Sequence, residues 1–121
     1  MLGIRGVYEV AIRVKDLARS EAFYMRTLGL VEGLRDERRR TLFLRAGGEA
    51  GMLVLREDKG SWPTQHLAFT VTAADIEPSA RALRAAGVQV EGPVHHAWMP
   101  ATSLYFSDPD GHELELCAPG A

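Results

Sequence analysis

Residues 8–14, YEVAIRV, alternate in character. Glu9, Ala11 and Arg13 fall on one side, while Tyr8, Val10, Ile12 and Val14 fall on the other. A period of two predicts a half-buried strand. A helix is expected next: Asp16 is placed as its N-cap, Leu17, Tyr24 and Leu28 share one face, and Gly29 ends it. Residues 30–34 then predict a short strand, RDERRR (35–40) a charged turn, and TLFLR (41–45) another strand. AGGEAG reads as a flexible turn into the strand GMLVLRE.

A second pass starts at Gln65. His66, Ala68 and Thr70 alternate with Leu67, Phe69 and Val71. Asp75 is the expected N-cap of a helix that carries Pro78 in its tolerant first turn, an Ile76, Ala80 and Leu83 stripe, and Gly87 at its end. VQV (88–90) predicts a strand and GPVHHAWMPAT a loop. SLYFS and HELELC predict a hairpin closed by the turn chemistry of DPDG.

The passes repeat. Asp16 and Asp75 are 59 residues apart, Gly29 and Gly87 are 58 apart, and Leu55 and Leu116 are 61 apart. Each pass runs strand, helix, three strands, and such a unit cannot bury one sheet face alone. The expectation is therefore an α+β chain forming a single domain over 1–121. Two βαβββ modules, about 5–58 and about 64–118, would curve mixed and antiparallel sheets around a shared cup.

Matching the halves pairs Glu9 with His66 at the start of each first strand, and Val54 with Glu115 in each last strand. Three of these four positions carry groups able to bind a metal. Each has a plainer reading: Glu9 in solvent near Arg5 or Arg13, His66 as a surface or hydrogen-bonded histidine, Glu115 exposed beside Glu113. Burying a lone carboxylate costs several kcal/mol, and a divalent cation would offset that cost. One His and two carboxylates suit Zn, Mn, Fe, Ni or Co and leave positions open for a substrate.

Composition narrows the partners. Fourteen basic against sixteen acidic residues give a net charge of -2, which offers no electrostatic case for nucleic acid or an anionic membrane. No apolar run approaches the roughly 20 residues of a membrane span, and MLGIRGVYEV lacks a signal-peptide core, so a cytoplasmic protein is expected. One cysteine, Cys117, excludes an internal disulfide and a thiolate cluster. It reads as structural, with no neighbour to lower its pKa.

The stretches VAIRVKDLARSEAFYMRTLGL, QHLAFTV and SLYFSDPDGHELEL resemble the vicinal oxygen chelate superfamily over nearly the whole chain. Its members include glyoxalase I, fosfomycin-resistance thiol transferases, bleomycin-resistance proteins, extradiol dioxygenases and methylmalonyl-CoA epimerase. The resemblance implies paired βαβββ modules, a metal in the cup on Glu9, His66 and Glu115, and a homodimer whose chains often share sites. Tyr105 falls where two of these groups place a functional tyrosine. Val54 stands where glyoxalase I has a fourth ligand, and Glu9 where the two-His members have histidine. His95 and His96 occupy the loop that holds the anion-binding lysine of the fosfomycin enzymes, and no acid–base histidine lies near Met52.

The expected function is a metal-dependent enzyme acting on a small substrate through vicinal oxygens, with glyoxalase, isomerase or lyase chemistry ahead of transfer or oxygenation. Tyr105, Glu115 and Glu9 are its catalytic candidates. Ser103, His95, His96 and Arg13 are its substrate-binding candidates. The alternative is a non-catalytic drug-binding protein of the bleomycin-resistance type, or a module that only dimerises. His112 is expected in solvent, Arg38 to Arg40 on a solvated turn or an acidic substrate group, and Trp62 as a packing anchor.

Overall fold

The computed structural model describes residues 2–120. Two compact units divide it, Met1–Pro63 and Thr64–Ala121.

In the first unit, strand β1 (Glu9–Val14) leads into helix α1 (Leu17–Glu21) and a π-helical continuation (Ala22–Thr27), then β2 (Val31–Asp36), β3 (Thr41–Arg45) and β4 (Met52–Glu57). The sheet order is β1-β4-β3-β2, with β1 parallel to β4 and the other pairs antiparallel. Asp16 caps α1 as expected, accepting from the Arg19 N–H at 3.1 Å. Helix α1 packs on β3 and β4, and Ile12, Val14, Leu17, Tyr24, Leu42 and Leu44 are buried in this unit. The expected uniform helix widens after Glu21, where Leu28 N–H reaches back to the Phe23 carbonyl at 3.1 Å. Gly29, at φ +80°, then turns the chain. The charged turn is shorter than 35–40, because Arg35 and Asp36 still belong to β2. Arg35 is anchored there by Glu21 at 2.8 Å and Glu32 at 2.7 Å.

The second unit repeats the plan with β5 (His66–Thr70), a 3₁₀ turn (Ala73–Asp75), helix α2 (Ile76–Ala85), β6 (Glu91–His96), β7 (Ala101–Ser107) and β8 (Glu113–Pro119). Its order is β5-β8-β7-β6, again with a parallel pair of first and last strands. Ile76 and Ala80 pack with Leu104 and Ala118 into a core joined by Val71, Val90 and Leu116.

Three expectations change here. Asp75 is the N-cap of α2 by position, as expected, but its side chain makes no capping bond into that helix. It sits at the end of the 3₁₀ turn, and its carboxylate accepts from the Thr72 N–H at 2.8 Å and hydroxyl at 2.7 Å. VQV is not a strand; pairing begins at Glu91 and includes much of the expected loop, with His95 and His96 opposite Thr102 and Ala101. Glycine and proline mask the alternation there. Gly92, at φ +117°, comes so close to β7 that a Cβ would lie 2.7 Å from the Ser103 carbonyl oxygen. Finally, His112 is fully buried rather than solvated. Its Nδ1 accepts from the Gln65 N–H at 2.9 Å, and its own N–H donates to Asp108 at 2.9 Å. The expected hairpin turn is present, and this imidazole ties it to the start of β5.

The register confirms the repeat. Glu9 lies opposite Met52 and Ala11 opposite Val54, just as His66 lies opposite Glu113 and Ala68 opposite Glu115.

Candidate functional site

In a strand pair, residues directly opposite each other project from the same face. The second unit thereby brings His66 beside Glu113 and Tyr105 beside Glu115. Their polar atoms form one continuous row. The His66 ring stands between two carboxylates, with Nδ1 2.7 Å from Glu113 Oε1 and Nε2 3.0 Å from Glu115 Oε1. The Ser103 hydroxyl donates to Glu115 Oε2 at 2.6 Å. His96 Nε2 lies 3.0 Å from the Ser103 oxygen and 3.1 Å from the Tyr105 hydroxyl.

Burial along the row is graded. Ser103 is fully buried and Glu115 is 7% exposed, whereas the His66 and Glu113 side chains are 47% and 63% exposed. Glu115 is therefore a nearly buried carboxylate with one oxygen held by Ser103 and the other turned to His66.

Proton counting assigns the rest. The single Ser103 proton goes to Glu115, so the Ser103 oxygen accepts from His96. His96 Nε2 then carries its hydrogen within reach of the Tyr105 oxygen as well, and the phenol also hydrogen-bonds with Ser103 and Glu115. Burial, and next the Glu115 carboxylate, hold the Tyr105 phenol above its ordinary value. It stays protonated as a donor.

The other expected site residues make contacts of their own. His95 alternates to the opposite side of β6, and its Nδ1 meets the Thr102 hydroxyl at 2.8 Å. Arg13 is engaged in the first unit by Asp58 at 3.0 Å. Glu9 is exposed at the start of β1. It borders a groove of about 490 Å³ with Tyr8, Leu34, Arg45, Glu49 and Met52 among its neighbours. Among the described residues, no three His, Cys, Asp or Glu side chains are gathered to hold a metal ion. Within the second unit, the expected ligands His66 and Glu115 are in contact. The sequence reading passed over Glu113 as a surface companion of Glu115. Its alternation onto the Glu115 face was visible, but its pairing with His66 needed the parallel register.

The His66–Glu115 pair suits a shared cation. The facing atoms, at hydrogen-bond distance, are of the imidazole nitrogen and carboxylate oxygen types that a divalent cation binds. These two atoms are 3.0 Å apart, and one is a carboxylate whose second oxygen is already satisfied.

This fold, with two copies of one motif and a polar row on the second, is that of the Glyoxalase/Bleomycin resistance protein/Dioxygenase superfamily. The family model matches residues 6–116, and the chain belongs to that superfamily. The glutathione transferase FosA of Serratia marcescens is 32% identical over 93% of this chain and 80% of its own length. The metallothiol transferase FosB of Staphylococcus epidermidis is 30% identical over 93% of this chain and 83% of its own. Among solved structures, integron cassette protein HFX_CASS4, from the mobile metagenome of the Halifax Harbour sewage outfall, has a TM-score of 0.90 and 50% identity, covering 95% of this chain and 99% of that one. No helix among the described residues is long and apolar enough to cross a membrane.

Proposed function

We propose that the chain is a metal-dependent enzyme that joins a thiol to a small electrophile bearing vicinal oxygens. The observation that carries this reading is the nearly buried Glu115, fixed by Ser103 and facing His66 Nε2 at 3.0 Å. Glu9, the repeat counterpart of His66, is the third expected ligand. The metal, one of Zn, Mn, Fe, Ni or Co, would act when bound as a Lewis acid toward the substrate oxygens.

The remaining work belongs to side chains. Tyr105, protonated at rest, donates to the substrate oxygen on which charge develops. His96 holds the Tyr105 oxygen, and Ser103 keeps Glu115 in place. In the transfer step the thiolate sulfur bonds to the electrophilic carbon, the carbon–oxygen bond opens, and the released oxygen takes the Tyr105 proton. The proton shed by the thiol restores the phenol through solvent. Thiol transfer is preferred to isomerase or lyase chemistry because the curated relatives named above are thiol transferases.

Elemental analysis of purified protein should find a divalent metal. Incubation with glutathione and an oxyanion-bearing epoxide should yield the adduct by mass spectrometry, and a chelator should stop it. Turnover of a methylglyoxal–glutathione hemithioacetal without adduct formation would replace transfer with isomerase chemistry. Ligand binding without turnover would indicate a binding protein. Protein that takes up none of the five metals, and gains no thermal stability from them, would remove the metal reading.

A further inference from the structure

His66 has one transferable proton when neutral and a carboxylate on each side. Glu113 Oε1 is 2.7 Å from Nδ1, and Glu115 Oε1 is 3.0 Å from Nε2. The shorter contact is with Glu113. Glu115 already accepts the Ser103 proton at 2.6 Å, so its need for another donor is smaller. The proton therefore belongs on Nδ1.

That placement has a consequence at the other nitrogen. With Nδ1–H donated to Glu113, Nε2 presents its lone pair to a carboxylate oxygen at 3.0 Å. Two acceptors facing each other at that distance repel, and a cation between them turns the repulsion into coordination. Imidazoles that bind metals commonly donate their second N–H to a carboxylate, which sets the tautomer and raises basicity. The β5–β8 register supplies that partner here, because His66 lies directly opposite Glu113.

We propose that Glu113 is a positioning residue that holds His66 in the Nδ1–H tautomer and directs its Nε2 lone pair at the space shared with Glu115. This inference rests on the metal reading above, but it concerns a residue outside the ligand set. Glu113 touches neither the expected metal nor the substrate; it acts through His66. The main-chain bond from Glu113 N–H to the Gln65 carbonyl, at 3.0 Å, keeps the two strands in register whatever the side chain is. His112 reinforces that register through Gln65. Substitution at Glu113 thus removes the carboxylate without removing the strand pairing.

The test compares parent, Glu113→Ala and Glu113→Gln. Nitrogen-15 NMR of metal-free protein at alkaline pH should show His66 protonated on Nδ1 in the parent. Glu113→Ala should shift it toward the Nε2–H tautomer, and Glu113→Gln, which keeps an acceptor oxygen, should restore much of the parental population. Chelator competition with Zn or Mn should show about 10–100-fold weaker binding for Glu113→Ala. Parental tautomer and parental affinity in Glu113→Ala would overturn the proposal. If the parent binds no metal but its tautomer depends on Glu113, the metal reading fails and the positioning role stands. If the parent binds metal and Glu113→Ala matches it in both measurements, the positioning role fails and the metal reading stands.

Discussion

The two units carry the same strand order and register but opposite chemistry at matched places. In the first, Phe43 lies opposite Val54, and Val54 is fully buried. In the second, Tyr105 lies opposite Glu115, and Glu115 accepts the Ser103 hydroxyl at 2.6 Å and faces His66. Met52 in the first matches Glu113 in the second. The difference teaches that the motif does not need an apolar pair there to fold. It tolerates a buried carboxylate, provided Ser103 and His66 accompany it. Polar groups are affordable in this position only as a connected set.

The largest effect should come from breaking that rule in the first unit. Val54→Glu places a carboxylate opposite Phe43, where the register equivalent of Ser103 is Thr41, whose hydroxyl already donates to the Arg39 carbonyl at 3.0 Å. It should lower unfolding free energy by at least about 3 kcal/mol in urea titration. A loss below about 1 kcal/mol would mean that the two positions are not physically different. The reverse exchange should separate stability from binding. Glu115→Val combined with Ser103→Ala installs apolar groups in the second unit and should keep stability within about 2 kcal/mol of the parent. Calorimetry should find metal affinity reduced more than about 100-fold, beyond the range of an outer-shell substitution.

The smallest effect concerns the helix starts. Asp16 accepts from Arg19 within α1, whereas Asp75 reaches back to Thr72. The Thr72 backbone and hydroxyl hydrogen bonds hold the Asp75 carboxyl below its usual range. A carboxylate lowered in the folded state stabilises above its unfolded pKa and loses that contribution as pH falls through the folded value. Acid titration below pH 4 should therefore loosen the start of α2 in the parent. Asp75→Asn should remove that component, leaving a flatter circular dichroism profile; an unchanged profile would detach the cap from the acid response.

Alternation and turn residues were enough to read the succession of elements apart from β6, the repeat, the DPDG turn and the Asp16 cap, because those signals are local. The repeat also singled out His66 and Glu115, and the family resemblance implied that they meet, as they do at 3.0 Å. The tie from His112 to Gln65 spans 47 residues and leaves no periodic trace, so a polar turn residue read as solvated. Glu113 was missed for a related reason: alternation assigns a face but not the residue across a parallel pair. Strand β6 was hidden because Gly92 and Pro93 look like loop residues, although Val94 to His96 pair with β7. His95 and His96 then took opposite faces, as any two successive strand residues must.

The close approach of Gly92 to β7 also works as a gauge. A Cβ at that position would meet the Ser103 carbonyl oxygen at 2.7 Å and the Val94 nitrogen at 3.2 Å. Any larger residue would have to lift β6 away from β7, and His96, four residues further along, would move with it. The reach of that imidazole to Tyr105 is thus calibrated by a position with no side chain. When the chain is redesigned for other substrates, residue 92 is a poor place to spend a mutation, although it touches none of the chemistry.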